Sequence, residues 1–280
     1  MSEANLARLY EQSGYYFPIT AFSSDQAKAY RQQYEQVESK FRSSEDSADS
    51  RLWFTHANHL LPFVDTITRS PLILEAVSQI LGPNILVWNA SFFIKEPHTP
   101  DFVSWHQDLT YWGLTHFDEV TAWVALSPAT VQSGCMRFVA GSHKHDILEH
   151  KDTFDDSNLL SRGQVLAVDI DESQATEVEL QPGQVSLHHG KLFHASHPNQ
   201  SADRRIGLAI RYVTPEMGQR DGQKPYAHLV SGEDNVGNFR LLEPPKSVMD
   251  PSDIEIAREN TKIGEKFFYE NAEQSGRALS

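Results

Sequence analysis

Two stretches of the chain place apolar residues at the three- and four-residue spacing of an amphipathic helix. The first follows a helix N-cap signal at 22–25, and its apolar residues are Ala27, Tyr30, Tyr34, Val37 and Phe41. The second begins at Pro71, whose fixed φ suits a first helical turn, and runs to Leu81. Gly82 and the proline after it form a stop signal. The polar stretch 43–50 between the two helices is predicted to be a loop.

After residue 83 the pattern changes to short segments that are rich in β-branched and aromatic residues and are separated by turn residues. The eight segments are Ile85–Lys95, Val103–Asp108, Thr121–Leu126, Arg137–Val139, Gln164–Val168, Glu177–Leu180, Val185–His188 and Ile206–Val213. About eight short strands behind N-terminal helices predict a mainly β protein with flanking helices and a double-sheet jelly-roll core.

No repeat, low-complexity tract or linker divides the 280 residues, which predicts a single domain over 1–280. Within it we expect N-terminal helices over about 1–82 and the jelly-roll core over about 83–215. The remainder, 216–280, contains one helical stretch at about 251–271. We expect that segment to cover the barrel or a neighbouring subunit.

Charge and cysteine content exclude several classes of protein. The chain has 24 Lys and Arg against 38 Asp and Glu, a net charge of −14, so it lacks the basic surface of a nucleic-acid-binding protein. Its single cysteine, Cys135, excludes an intramolecular disulfide framework. The longest apolar runs, such as Val120–Leu126, are too short to cross a bilayer, and the N-terminus lacks a secretory signal. We expect a soluble cytoplasmic protein that acts on a small molecule; its oligomeric state is not predicted.

His106 and Asp108, in the segment VSWHQDLTYW, are candidate metal ligands because residues i and i+2 of a strand face the same side. The His-x-Asp pattern also occurs at His116 and His150, whereas chance alone predicts about one occurrence. Taken alone, each pattern equally fits a surface histidine beside a carboxylate. His116 lies in a stretch typical of a connecting turn and His150 in an acidic loop, which favours the first pair.

A second group of histidines precedes the last predicted strand, in HHGKLFHASHPNQSADRRIGLAIRYV. A further neutral imidazole beside a His-x-Asp pair is what a 2-His-1-carboxylate iron site requires. In the strand itself, Arg205, Gly207, Ala209 and Arg211 share one face. The two small residues leave that face open, so both arginines can project into a cavity. The alternative is an edge strand with solvated arginines.

These motifs, in this order, resemble the phytanoyl-CoA dioxygenase family of Fe(II)- and 2-oxoglutarate-dependent oxygenases. The similarity rests on SWHQD followed by YW, on Trp123, SGCMRFVAGSH and HHGKLFHASHPNQS, and on an arginine 11 residues after His194. With the opening GYYFPITAFSSDQAKAY it covers about 10–215. It implies a double-stranded β-helix core, Fe(II), 2-oxoglutarate as cosubstrate and O2. By motif it also implies three iron ligands, His106, Asp108 and His194.

The resemblance further implies which residues hold 2-oxoglutarate. Arg205 matches the arginine that pairs with its distal carboxylate, a task that suits a permanently charged, bidentate guanidinium. Ser196 matches a hydroxyl that bonds the same carboxylate. Gln107 and Trp123 match positions that line the cosubstrate. The family implies no role that we can assign to the pair His188 and His189.

We therefore expect hydroxylation of a small molecule. Halogenating relatives replace the carboxylate ligand with a small residue, whereas this chain keeps Asp108. Arg211, on the cavity-facing side of its strand, favours an anionic substrate such as an amino acid, a carboxylate or a 2-aminoethylphosphonate-type phosphonate; a structural ion pair is the other interpretation. Two rival functions are a non-catalytic jelly-roll binding protein and a cupin-like metal enzyme that does not use 2-oxoglutarate. The complete ligand set argues against the first, and Arg205 argues against the second.

The remaining chemically active side chains are given structural roles. We expect three histidines near the acidic loop to be solvent-exposed: His143, His145 and His150. Four others lie outside every motif and are expected to be ordinary: His56, His59, His98 and His228. Three aromatic residues are expected in the core or a pocket wall: Trp105, Tyr111 and Trp112. Cys135 lacks the electropositive setting of a nucleophile.

Overall fold

The computed structural model describes residues 3–42 and 51–270, so the predicted loop at 43–50 lies outside the described residues. The helices in these ranges are α1 Glu3–Ser13, α2 Ser24–Phe41, α3 Leu52–Thr55, α4 Ala57–Leu60, α5 Pro62–Thr68, α6 Pro71–Leu81 and α7 Pro251–Phe268. The strands are β1 Tyr15–Thr20, β2 Ile85–Lys95, β3 Val103–His106, β4 Glu119–Ala125, β5 Met136–Val139, β6 His150–Asp152, β7 Gln164–Leu166, β8 Ala175–Val178, β9 Gln184–His188, β10 His194–Ser196, β11 Arg205–Val213, β12 Tyr226–Ser231 and β13 Arg240–Leu241.

Both helices predicted from apolar spacing form where the sequence places them. Helix α2 starts after Ser23, whose side chain accepts a hydrogen bond from the Gln26 backbone while Gln26 reaches back to the Ser23 backbone. This capping box satisfies two amide groups at the helix start. Helix α6 ends before Gly82, whose φ of 82° is a left-handed conformation that favours glycine.

The strands form two facing sheets, which confirms the jelly-roll expectation. The larger sheet has the order β1-β9-β4-β11-β2-β12-β13, and the smaller has the order β3-β10-β5-β8. Strands β6 and β7 make a separate hairpin. Side chains from both sheets pack in one buried cluster that includes Trp123 and Ala209 from the larger sheet and Met136 and Val178 from the smaller. The predicted site residues on the strands, such as His106, His194 and Arg205, lie around the space between the sheets.

Strand β11 separates the helical layer from this interior by its alternation. Ile206, Leu208 and Ile210 pack with the helices in the main hydrophobic core, whereas Arg205 and Arg211 point into the cavity between the sheets. The predicted side of each residue is therefore right. The space expected above Gly207, however, is filled, because a Cβ there would lie 1.8 Å from the Trp123 ring.

The larger sheet extends beyond the range predicted for the core. Strand β1, from the N-terminal part, pairs with β9, and β12, from the C-terminal part, pairs with β2. Strands β6, β10 and β13 have only two or three residues, too few for alternation to reveal. None of the helices within 3–42 and 51–270 is long and apolar enough to cross a membrane.

Candidate metal centre and active site

His106, Asp108 and His194 come together between the two sheets. His106 ends β3 and stands opposite His194, the first residue of β10, in the antiparallel register. Asp108 Oδ1 lies 3.2 Å from His106 Nε2 and 3.8 Å from His194 Nε2. The potential ligand atoms all lie within 4.8 Å of one another. Asp108 begins a 3-10 turn rather than continuing the strand, so this turn and not strand alternation aims its carboxylate.

Backbone carbonyls orient both imidazoles for metal binding. His106 Nδ1 lies 2.9 Å from the Ser104 carbonyl and 3.1 Å from the His194 carbonyl, and His194 Nδ1 lies 2.9 Å from the Leu192 carbonyl. Since a carbonyl only accepts, each Nδ1 carries a proton, and each Nε2 faces Asp108, where a metal ion would bind. Outer hydrogen bonds of this kind fix ligand orientation in metal sites.

The protonation states also suit a metal ion. Burial lowers the pKa of His194 to about 4, so its imidazole is neutral at pH 7. Burial by itself would raise the pKa of Asp108, but the hydrogen bond with His106 and the proximity of His194 hold that pKa well below its ordinary value. A neutral imidazole and a carboxylate are the deprotonated donors that a divalent iron requires.

An inner cavity with about 40 Å³ of space for water-sized molecules adjoins these ligands and is lined by Trp123, Ser196 and Arg205. The Arg205 guanidinium is fully buried, donates from Nη1 to the Gly134 carbonyl at 2.9 Å and lies 5.3 Å from the Trp123 ring. Among the described residues, no carboxylate oxygen lies within 4.0 Å of this guanidinium, and its Nε has no hydrogen-bond partner. Burial lowers the pKa of Arg205 to about 10.

Lys95, which the sequence analysis did not single out, is a second buried basic side chain near this end of the cavity. It is the last residue of β2 and stands opposite Arg205 in the sheet. Its Nζ donates to Ser196 Oγ at 2.6 Å and to the His197 carbonyl. Burial, followed by the charge of Arg205, lowers the pKa of Lys95 to about 5. Strand parity could have revealed it, because Lys95 shares its face of β2 with Phe93, another residue of the cavity wall.

Gln107 does not line either cavity, contrary to the role that the resemblance implies. Its amide donates to the carbonyls of Asp146 and Lys191 at 3.3 and 3.0 Å, and its Oε1 accepts from the Leu148 backbone at 2.9 Å. Alternation turns residue 107 away from the side that 106 faces. Gln107 therefore joins two loops behind the metal ligands.

Two histidines expected to be exposed are half-buried or buried instead, His150 and His143. His150 lies in β6 and accepts from the Gln107 backbone at 3.1 Å, and burial lowers its pKa to about 4. His143 is buried. His188 has its ring 5.0 Å from that of His194 and forms part of the inner cavity wall. By contrast, His116 is exposed in a loop, as its position in the sequence predicts.

A larger outer cavity, with about 160 Å³ of space for water-sized molecules, reaches the metal site from the other side. His106 and Asp108 lie at its base, and Arg211 borders both cavities. Five aromatic residues line it: Trp88, Phe93, Tyr111, Trp112 and Phe268. His56, which was expected to be ordinary, also lines this cavity. Helix α7 forms one wall, so the C-terminal segment covers the barrel of its own chain.

Arg211 is held in place by neutral groups. Its Nη1 donates to Asn89 Oδ1 at 3.2 Å and to Ser91 Oγ. The guanidinium lies 5.8 Å from the Phe93 ring and 5.6 Å from the Trp112 ring. Burial lowers the pKa of Arg211. Within the described ranges no carboxylate oxygen lies within 4.0 Å of it, so the structure does not contain the ion pair that the sequence analysis left open.

Comparisons with known sequences agree with this geometry. The family model for phytanoyl-CoA dioxygenase matches residues 10–207. A probable alpha-ketoglutarate-dependent hypophosphite dioxygenase from Stutzerimonas stutzeri is 31% identical over 198 residues, which are 67% of each chain. A phytanoyl-CoA dioxygenase domain-containing protein 1 homolog from Caenorhabditis elegans is 28% identical over 165 residues, 56% of this chain and 57% of that one.

Solved structures extend the similarity to nearly the whole chain. The apo form of ThoJ, a non-heme monooxygenase, shares 33% identity and a TM-score of 0.82, covering 94% of this chain and 97% of its own. CytC3 with Fe(II) and alpha-ketoglutarate has a TM-score of 0.68 at 21% identity, covering 89% and 96%, a likeness of fold. The chain therefore belongs to the phytanoyl-CoA dioxygenase family and is a 2-oxoglutarate-dependent dioxygenase on a jelly-roll core.

Proposed function

We propose that this enzyme hydroxylates a small anionic molecule, with His106, Asp108 and His194 holding Fe(II) and Arg211 binding the substrate's anionic group. One observation carries the proposal: the metal ligands stand between buried basic side chains on two sides, and these side chains have no carboxylate partner among the described residues. Arg205 and Lys95 lie on the inner side, and Arg211 lies at the border with the outer cavity.

The inner pair fits the distal carboxylate of 2-oxoglutarate. Burying an unpaired charge is costly, so the Arg205 guanidinium in this small cavity calls for an anion beside it. An anion there would also favour the charged form of Lys95, whose pKa is lowered by burial and by the charge of Arg205. Arg205 supplies free N–H groups, and the contact between Lys95 and Ser196 puts a second and a third polar group beside it. A carboxylate in this cavity would accept hydrogen bonds that the guanidinium cannot make within the protein.

The residues around the metal would control where the reaction occurs. Bound iron with 2-oxoglutarate and O2 supplies the oxidising power for hydroxylation of a C–H bond, with succinate and CO2 as the other products. Trp123 and His188 line the inner cavity. Arg211 would hold the substrate beside the ligands, so that one of its C–H bonds faces the metal. Retention of Asp108 supports hydroxylation over halogenation, because no ligand position is freed for a halide.

An anionic substrate is supported by the setting of Arg211. Its flanking rings and neutral hydrogen-bond partners position the guanidinium without neutralising it. The nearest negative charges that act on it belong to Asp108, which a metal would engage, and to Glu119. The name of the Stutzerimonas stutzeri relative, a hypophosphite dioxygenase, is consistent with a phosphorus oxyanion or a related anion here.

The first test is anaerobic addition of Fe(II) and 2-oxoglutarate to the metal-free protein. We expect a weak visible charge-transfer band, which neither a non-catalytic binding protein nor a cupin-like enzyme without 2-oxoglutarate would show. A screen of succinate release with amino acids, carboxylates and phosphonates then identifies the stimulating anion. Arg211→Met should abolish this stimulation and leave the Kd for 2-oxoglutarate within threefold. If Arg211→Met instead removes cosubstrate binding, Arg211 belongs to the 2-oxoglutarate site and the proposed substrate contact is wrong.

A further inference from the structure

We infer that the substrate carries an apolar, ring-sized body beside its anionic group, and that Gly264 on α7 is the residue that leaves room for that body. The inference rests on the proposed function, since it takes Arg211 as the anion contact. The inference specifies the size and chemical class of the substrate, and it names a residue that determines specificity.

The outer cavity is much larger than a simple oxyanion needs. Its space for water-sized molecules is about 160 Å³, roughly ten times what one water molecule needs on the same measure. A phosphonate or carboxylate group at Arg211 would occupy only its base. The remaining volume lies between the strands of the larger sheet and α7, where a substrate body can lie.

The walls of this remaining volume are aromatic. Trp88 and Trp112 contact each other with ring centroids 5.3 Å apart, and Tyr111 and Phe268 do so at 5.5 Å. All four line the cavity, one pair beside Arg211 and the other where α7 ends. Aromatic faces bury apolar and ring-containing groups, and they also add offset or edge-to-face contacts with a ring. A purely polar substrate would leave these surfaces without a matching partner.

Gly264 is unusual because it lies within a helix and faces this cavity. A Cβ built at residue 264 meets no heavy atom within 4 Å. Three other described glycines also have open space, Gly82, Gly222 and Gly237, but each has a positive φ that favours glycine. Gly264 has no such conformational reason, and glycine inside a helix is less stable than alanine. The space it leaves opens into the outer cavity.

Contacts on both sides of Gly264 fix the position of this wall. Asn260 Nδ2 lies 3.0 Å from His59 Nε2 and donates to the Tyr226 carbonyl at 3.1 Å. One turn beyond Gly264, the Phe268 carbonyl accepts from Arg162 Nη1 at 2.6 Å. Because the helix is held at both points, a side chain added at 264 would project into the cavity rather than move the wall.

The test uses three anions that share a phosphonate group and differ in the size of the attached apolar group: methylphosphonate, phenylphosphonate and biphenyl-4-ylphosphonate. Each is titrated by calorimetry into the anaerobic Fe(II)- and 2-oxoglutarate-loaded protein. We expect the biphenyl compound to bind at least tenfold more tightly than methylphosphonate. Gly264→Leu should weaken biphenyl binding at least tenfold and leave methylphosphonate within twofold, and Gly264→Ala should give a smaller loss with a raised Tm. Lys262→Leu, on the exposed side of the same helix, should change none of the three affinities.

The outcomes separate this inference from the proposed function. If 2-oxoglutarate itself does not bind, the proposed function fails. If 2-oxoglutarate binds but no phosphonate does, or the rings add no affinity, the substrate class inferred here is wrong while the oxygenase assignment stands. If Gly264→Leu weakens all three probes equally, residue 264 acts through the general structure of the site and is not a determinant of size.

Discussion

Replacing Arg205 with methionine should separate cosubstrate binding from folding. Methionine keeps the unbranched shape of the arginine stem and removes the charge. In the absence of 2-oxoglutarate the guanidinium has one hydrogen bond from Nη1 and an unpartnered Nε. Its removal therefore takes little from the folded protein, yet it removes the permanent charge proposed to pair with the distal carboxylate of the cosubstrate.

The structure sets the magnitude of both effects. Burial lowers the pKa of Arg205 from its ordinary value to about 10, so the surroundings disfavour its charge by about 3 kcal/mol. Against this, the variant loses one hydrogen bond and the contact with Trp123, together about 1–3 kcal/mol. The free energy of unfolding should thus be unchanged or slightly higher. Loss of one partner of a buried charge pair costs about 2–5 kcal/mol, so the Kd for 2-oxoglutarate should rise about 30-fold or more.

The assay is anaerobic titration of 2-oxoglutarate into the Fe(II)-loaded protein, together with thermal unfolding at a fixed cosubstrate concentration. 2-Oxoglutarate should raise the Tm of the wild-type protein, and it should raise the Tm of Arg205→Met much less. Arg204→Met is the matched control, because Arg204 points to the other side of the sheet and pairs with Glu38 and Glu96. It should leave the Kd unchanged. A lower Tm for Arg205→Met with an unchanged Kd would show that Arg205 is structural, and the reasoning would be refuted.

Three further predictions concern the metal ligands, Gln107 and pH. Asp108→Ala should lose iron after anaerobic reconstitution, whereas His116→Ala, in an exposed loop, should retain it. Iron content is measured for both variants, and a His116 variant without iron would show that the metal site is misassigned. Gln107→Ala should lower the free energy of unfolding by about 2–4 kcal/mol in urea denaturation, because it leaves buried loop groups unpaired, with the Kd for 2-oxoglutarate within threefold. The free energy of unfolding should fall as pH falls from about 6.5 toward 4. The reason is that burial lowers the pKa of four histidines outside the ligand set to about 4, so the unfolded chain binds more protons in this range; they are His56, His150, His189 and His228. A urea midpoint that does not change between pH 7 and 5 would contradict this.

Local rules predicted the elements that carry long, regular patterns. Helix α6 has the predicted bounds, and β2 matches its predicted segment residue for residue. The helix shows the period that burial of one side imposes, and the strand is a long run rich in β-branched and aromatic residues. Gly82 ends the helix, and Pro97 follows the strand. The short strand β10 escaped prediction, although it carries His194, because three residues cannot display a period.

The sequence by itself determined the family, the jelly-roll class and the candidate ligands, since motif order and strand parity depend only on neighbours along the chain. Only the tertiary structure decided what surrounds them. It placed Lys95 beside Arg205 and turned Gln107 away from the cavity. It also brought α7, which begins 38 residues after β11 ends (251 against 213), over the outer cavity. These relations arise from sheet pairing and from packing between segments that are distant in the sequence. Because burying an unpaired charge is costly, they also point to anionic ligands in the cavities.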